Sequence, residues 1–196
     1  MREHRIRWRR LAPVVLFGYA FAIALLVGCS ESVPVQSVTL RVFLVRHAEP
    51  EDVPGNEDPG LSEAGRQRAA ALRDKLRDAE ITAIFTSPFL RTQESAAPIA
   101  EELAVSPRRI GFVRGINQHI ADLATAVRNH RGTAVLVVGH GDTVPAVIRR
   151  LGGPALKDLC ETTFDVLFTV ELKGGAAQLT PGRYGDPSPP PGPNCM

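Results

Sequence analysis

The chain has 196 residues, room for one domain of ordinary size. Five of its 23 basic residues (Arg2, Arg5, Arg7, Arg9, Arg10) and one of its 21 acidic residues lie within residues 2–10, so the formal charge of +2 hides a remaining chain of about −2. That balance excludes a nucleic-acid reader working through a basic stripe. A composition of 44% hydrophobic and 22% charged residues excludes intrinsic disorder for the body, three Cys are too few for a disulfide scaffold, and one uncharged run excludes a polytopic membrane protein.

In chain order, the basic Met1–Arg10 precedes the uncharged apolar run Leu11–Gly28 (LAPVVLFGYAFAIALLVG), the architecture of a bacterial secretory signal. Leu26-Val27-Gly28-Cys29 has the form of a lipobox, in which cleavage precedes a Cys whose thiol carries lipid. The alternative is an uncleaved single-span anchor, for which 18 residues sit at the lower edge. Both readings place the body outside the cytoplasm. We therefore expect a signal at 1–28, lipidation of Cys29 with attachment at the periplasmic face, and a tether at 29–37. Ser30 after the Cys points to the outer membrane in a host that has one. In that compartment Cys160 and Cys195 can oxidise to a disulfide, a pairing that the sequence leaves open.

Val38–Val45 (VTLRVFLV) is β-branched and nearly continuously apolar, as a strand buried on both faces is. A Gly/Pro/acidic loop covers 49–60. Ser62 then offers an N-cap to a helix whose stripe is Ala69, Leu72, Leu76 and Ala79. Ile81–Thr86 reads as a second strand, and Ser87-Pro88 as the start of a helix, with Pro at its tolerated first position and Pro98 as an expected kink. Ile116, Ile120, Leu123 and Val127 define a third helix. Ala134–Val138 is a third buried strand, followed by Gly139-His140-Gly141 and a helix from about Asp142 to Leu151. Asp165–Glu171 and Ala176–Leu179 read as late strands that a hairpin through Lys173-Gly174-Gly175 can join, and the Pro-rich 185–196 as a disordered tail. Alternating strands and helices give one α/β domain over 38–184, a three-layer α/β/α sandwich around a mostly parallel sheet, whose ligands sit beyond the carboxyl ends of the strands.

Those strand ends carry the chemistry. Arg46-His47 follows the first, Ser87-Pro88-Phe89-Leu90-Arg91 the second and His140 the third. Guanidinium forks match phosphate oxygens, helix N-termini favour anions, and an imidazole in line with phosphorus is a covalent nucleophile. The residues alone describe a phosphate pocket with a histidine in attacking position. An isolated Arg-His pair is ordinarily surface chemistry, and what lifts this one is its place in a set of four motifs. His119 reads as a loop or helix-start residue, and His130 as a helix C-terminal residue favoured by the dipole.

Leu44-Val45-Arg46-His47-Ala48-Glu49 resembles the RHG motif of the histidine phosphatase superfamily, the phosphoglycerate-mutase-like fold. Leu61-Ser62-Glu63-Ala64-Gly65, Thr86-Ser87-Pro88-Phe89-Leu90-Arg91-Thr92, and Val138-Gly139-His140 with Thr143 and Leu151-Gly152-Gly153 resemble its further motifs, in order, over roughly 38–185. The order is most similar to the small branch that includes bacterial phosphohistidine phosphatases. The resemblance implies a phosphoric monoester hydrolase of the histidine acid phosphatase type, acting on a small phosphorylated substrate or a phosphoprotein. It implies His47 as nucleophile, Arg46 and Arg91 on the phosphoryl oxygens, His140 as a transition-state donor, and neither metal nor cofactor. Asn56 is a weaker substrate-binding candidate from the first loop, with turn chemistry as its rival. Ala48 departs from the usual Gly, which matters only if the backbone there has positive φ. The general acid is unassigned: Glu49, Asp52, Asp58 and Asp142 are candidates, with a helix N-cap as the rival role for Asp142. The alternative functions are a phosphomutase and a catalytically silent phosphate-binding module of the envelope.

Overall fold

The computed structural model describes residues 39–196. The signal and lipobox readings, Cys29 and the tether lie outside them. Among the described residues no helix is long and apolar enough to cross a membrane.

These residues form six strands and four helices: β1 (Leu40–Arg46), α1 (Glu63–Leu76), β2 (Ile81–Thr86), α2 (Leu90–Glu102), β3 (Arg108–Arg109), α3 (Ile116–Arg128), β4 (Ala134–Gly139), α4 (Thr143–Arg150), β5 (Val166–Lys173) and β6 (Ala176–Arg183). One mixed sheet runs in the order β3-β2-β4-β1-β5-β6, with the first four strands parallel to one another, β5 antiparallel to β1 and β6 antiparallel to β5. The near-continuous apolar runs of β1, β2 and β4 follow from burial on both faces. Alternate residues of β1 supply two cores: Val42 and Leu44 pack with Leu123, Val127, Val147 and Ile148 of α3 and α4, whereas Phe43 and Val45 pack with Leu72, Leu76, Ala96 and Ile99 of α1 and α2. The expected three layers are present, with the hairpin at one edge.

Local chemistry explains most boundaries. Ser62 caps α1, its Oγ accepting from the Gly65 N–H at 3.1 Å. Gly65 is required by space, since a Cβ there would collide with the Glu49 carbonyl. The β5–β6 turn uses Gly174 and Gly175 at φ 57° and 88°, the left-handed pair that suits a two-residue hairpin. Two boundaries differ from expectation. The second helix begins at Leu90, not at Pro88, because its cap comes from the first loop: Asp58 Oδ1 accepts from the Leu90 N–H at 2.8 Å. The α1 stripe stops at Leu76, leaving Ala79 outside the helix.

The Pro-rich segment 185–196, expected to be a disordered tail, is instead fastened to the domain. Cys195 is disulfide-bonded to Cys160, the Met196 N–H donates to the Asp158 carbonyl at 2.9 Å, and Met196 packs against the α3–α4 core. Composition missed this because the fastening is covalent and long-range.

Candidate active site

β1, β2 and β4 end at the same level, and the register pairs Arg46 with Gly139 and Thr86 with Val138. The residues immediately after β1 and β4 are therefore neighbours: the His47 N–H donates to the Gly139 carbonyl at 2.9 Å, and the imidazole centroids of His47 and His140 lie 5.3 Å apart. With Arg46 and Arg91 they line a cavity of about 420 Å³, so the structure brings together all four residues singled out from the sequence.

Each side chain is held by identifiable contacts. His47 is buried, and its Nδ1 lies 2.8 Å from the Ala48 carbonyl. A carbonyl only accepts, so Nδ1 carries the proton and the neutral ring keeps its lone pair on Nε2. Burial pushes the His47 pKa down to about 3, helped by the positive charges of Arg46 and Arg91. His140 is lowered to about 4, again by burial first and then by Arg91; its Nε2 pairs with Ser87 Oγ at 3.0 Å. Both rings are thus neutral, and one presents a free lone pair. Ala48 avoids the left-handed region that would have demanded Gly, and its N–H donates to Ser95 Oγ at 2.8 Å.

Arg46 is only 6% exposed. Its Nη1 donates to the Cys160 carbonyl at 2.6 Å, its Nη2 to Glu161 Oε2 at 2.9 Å, and it stacks over Phe164 at 4.4 Å. Its Nε has no protein partner among the described residues. Arg91, in the first turn of α2, lies over Phe89 at 4.4 Å and 3.7 Å from Asp58. Phe89, Phe112 and Ile116 form an apolar wall, faced by Asp142, Asp158 and Glu161. Among the described residues no cluster of three or more His, Cys, Asp or Glu is placed to hold a metal ion.

Several weaker candidates have other employment. Glu49 is turned away from the cavity into a bidentate pair with Arg68, whose Nε and Nη2 reach its oxygens at 2.7–2.9 Å. Asn56 makes a local turn, its Oδ1 accepting from the Asp58 N–H at 3.0 Å, and does not line the cavity. Asp58 caps α2. Asp142 does line the cavity, and its Oδ1 also accepts from the Thr143 N–H at 2.7 Å at the start of α4. His119, read as a loop or helix-start residue, is a fully buried side chain of α3 stacked on Phe112 at 3.8 Å. His130 follows α3, with its Nε2 2.7 Å from Thr82 Oγ1. Sequence reasoning missed Glu161, Asp158 and Phe164, which reach the site from an irregular loop without any motif.

Residues 42–111 match the model of the histidine phosphatase superfamily, branch 1. Over these residues, about a third of the chain, the sequence is similar to that superfamily. An uncharacterized protein of Mycobacterium tuberculosis is 44% identical over 72 residues, which are 33% of this chain and 36% of that protein. Phosphoserine phosphatase 1 of Hydrogenobacter thermophilus is 40% identical over 67 residues, 32% of each chain. The match thus spans about a third of these curated relatives. Among solved structures, the protein histidine phosphatase SixA complexed with tungstate superposes with a TM-score of 0.57 at 20% identity, over 71% of this chain and 94% of that one. The α/β fold of that structure is therefore shared well beyond the matched residues, and the sandwich is of the expected phosphoglycerate-mutase-like kind.

Proposed function

We propose that this chain is a phosphatase that hydrolyses a phosphomonoester or phosphoramidate through a phosphohistidine on His47. The observation that carries the reading is the fixed tautomer of His47: Nδ1–H is committed to the Ala48 carbonyl, leaving Nε2 free on the floor of a cavity flanked by two guanidinium groups. The family match and the SixA-like fold support the same reading.

The chemistry follows from those positions. A phosphoryl group entering the cavity meets Arg46 and Arg91, and the unpartnered Nε of Arg46 can donate to it without breaking a bond. Glu161 gives way at Nη2 to a second phosphoryl oxygen. The incoming negative charge favours the protonated form of His140, which can then donate to the phosphoryl oxygens as charge develops. His47 Nε2 attacks phosphorus, the bond to the leaving group breaks, and water then hydrolyses the phosphohistidine. Asp142 is read as a helix cap, so a leaving group stable without an acid, such as an aryl oxide or an imidazole, suits the site better than an alkoxide. The apolar wall of Phe89 and Phe112 fits such rings.

In the same reading the protein is exported and held at the periplasmic face of the envelope by lipid on Cys29. Its substrate is a small phosphorylated compound or a phosphoprotein. The test is turnover of an aryl phosphate, a phosphohistidine peptide and an alkyl phosphate by the full chain. The reading predicts turnover in that order of preference, with His140→Ala slower by on the order of 10²–10³. A chain that binds phosphate and turns over none of them is a silent binding module, and transfer to an acceptor sugar in place of water would make it a mutase.

A further inference from the structure

We propose that the Cys160–Cys195 disulfide is a positioning element of the phosphate site, so that the site is complete only in the oxidised protein. This rests on reading the cavity as a phosphate site. Between α4 and β5 the chain runs through residues 151–165 with neither helix nor strand, a length at which loops are ordinarily mobile unless something holds them. Yet this stretch alone supplies three contacts to the Arg46 guanidinium: the Cys160 carbonyl, the Glu161 carboxylate and the Phe164 ring. Arg46 is nearly fully buried and, among the described residues, has no carboxylate partner on a regular element. Its orientation is therefore set by an irregular loop.

That loop is held in turn by the Pro-rich segment. The Cys160 N–H donates to the Met196 carbonyl and the Met196 N–H to the Asp158 carbonyl, both at 2.9 Å. Lys157 Nζ donates to the Pro193 carbonyl at 2.9 Å, the Gly192 N–H to Cys160 Sγ at 3.2 Å, and the Phe164 N–H to Ser188 Oγ at 2.9 Å. The one covalent link in this clip joins Cys195 to the residue whose carbonyl receives Arg46 Nη1 at 2.6 Å. With that link cut, seven single hydrogen bonds and the packing of Met196 remain to hold a segment otherwise rich in Pro and Gly. The seven include the Asp165 N–H to Ser188 Oγ at 3.1 Å and Arg68 Nη1 to the Asp186 carbonyl at 2.9 Å. The clip then opens and Arg46 loses its frame.

Formation of the clip is a thiol–disulfide exchange. Two Cys thiols give up two electrons and two protons to a disulfide-bearing oxidant, which becomes a dithiol. Cys195 is the half-buried partner and Cys160 the buried one, so exchange proceeds at Cys195. An oxidising compartment supplies that reaction and a reducing one reverses it. The phosphate site would accordingly be weak before export and complete after it.

The experiment measures inorganic phosphate and orthovanadate affinity of the full chain by calorimetry, oxidised and after dithiothreitol, with Cys195→Ser as the permanent open form and Arg46→Lys as the second axis. The proposal predicts about tenfold weaker anion binding on reduction and in Cys195→Ser, corresponding to about 1.4 kcal/mol. It predicts little further loss on reducing Arg46→Lys, because the fork that the clip orients is already gone. Equal affinity of oxidised and reduced wild type overturns the proposal. So does an equal loss on reduction in Arg46→Lys, which would mark the disulfide as a general staple. Affinity is read apart from turnover: a redox-dependent anion site that hydrolyses no phosphate compound would support the clip and overturn the phosphatase reading, and an oxidised chain that binds neither anion would overturn both.

Discussion

Acidification should destabilise this domain through His47. The unfolded ring titrates near 6.5 and the folded one at about 3, so between these values the unfolded state binds more protons and stability falls as pH falls. The contribution is complete above about pH 6.5. Taking the chain from pH 7.5 to 5.0 protonates the unfolded ring about 97% and the folded ring hardly at all, a loss of about 2 kcal/mol. His140, lowered to about 4, adds up to a similar amount in the same direction. The test is urea unfolding of the oxidised chain at both pH values, in buffer free of phosphate. With a slope near 2 kcal/mol per molar, the His47 share corresponds to a midpoint about 1 M lower at pH 5.0. His47→Asn keeps a donor for the Ala48 carbonyl and removes the titration, so it should recover the His47 share of about 2 kcal/mol, while His140, His119 and His130, all lowered by burial, keep theirs. An Asn variant with the wild-type pH dependence would refute the reasoning, as would a wild type equally stable at both values. Added phosphate should restore more stability at pH 5.0 than at 7.5, since the anion raises the ring pKa values it faces.

Three further predictions are independent of that one. Glu49→Gln strands the buried Arg68 guanidinium and should cost about 3 kcal/mol in urea unfolding, while saturated turnover of an aryl phosphate stays near wild type; a large loss of turnover in the folded variant would return Glu49 to the site. Asp142→Asn should leave alkyl and aryl phosphate rates both close to wild type, because Asn caps a helix nearly as well as Asp; an alkyl-specific loss on the scale of 10²–10⁴ would identify it as the general acid. Cys29→Ala should abolish palmitate labelling and signal processing in cells, and unchanged labelling would end the lipid-anchor proposal.

The parts of this protein legible in its sequence are those governed by local periodicity or backbone need. β1, β2 and β4 announce themselves because strands buried on both faces must be apolar throughout. Ser62 and the Gly174-Gly175 turn follow from capping and from positive φ. Arg46, His47, Arg91 and His140 were found because the ends of parallel strands converge, whatever lies between them. What escaped reading depends on distant partners. The start of α2 is set by Asp58, 32 positions before Leu90. Glu49 belongs to Arg68 and the Pro-rich segment to Cys160, neither of which a local window contains, and the stacking of the buried His119 on Phe112 depends on the turn that brings them together. The loop that frames Arg46 lies 114 positions away, where neither period nor motif marks it.

The central claim is covalent catalysis by His47, and the most direct measurement is capture of the intermediate. The full, oxidised chain is mixed rapidly with an aryl phosphate and quenched with alkali, because phosphohistidine does not survive acid; the digest is then mapped by mass spectrometry. The account predicts a phosphate on the peptide containing Arg46-His47, localised to the His47 ring and absent from His47→Asn, whose turnover is also lost. Phosphate on another residue, or His47→Asn turning over at a rate near wild type, would contradict it.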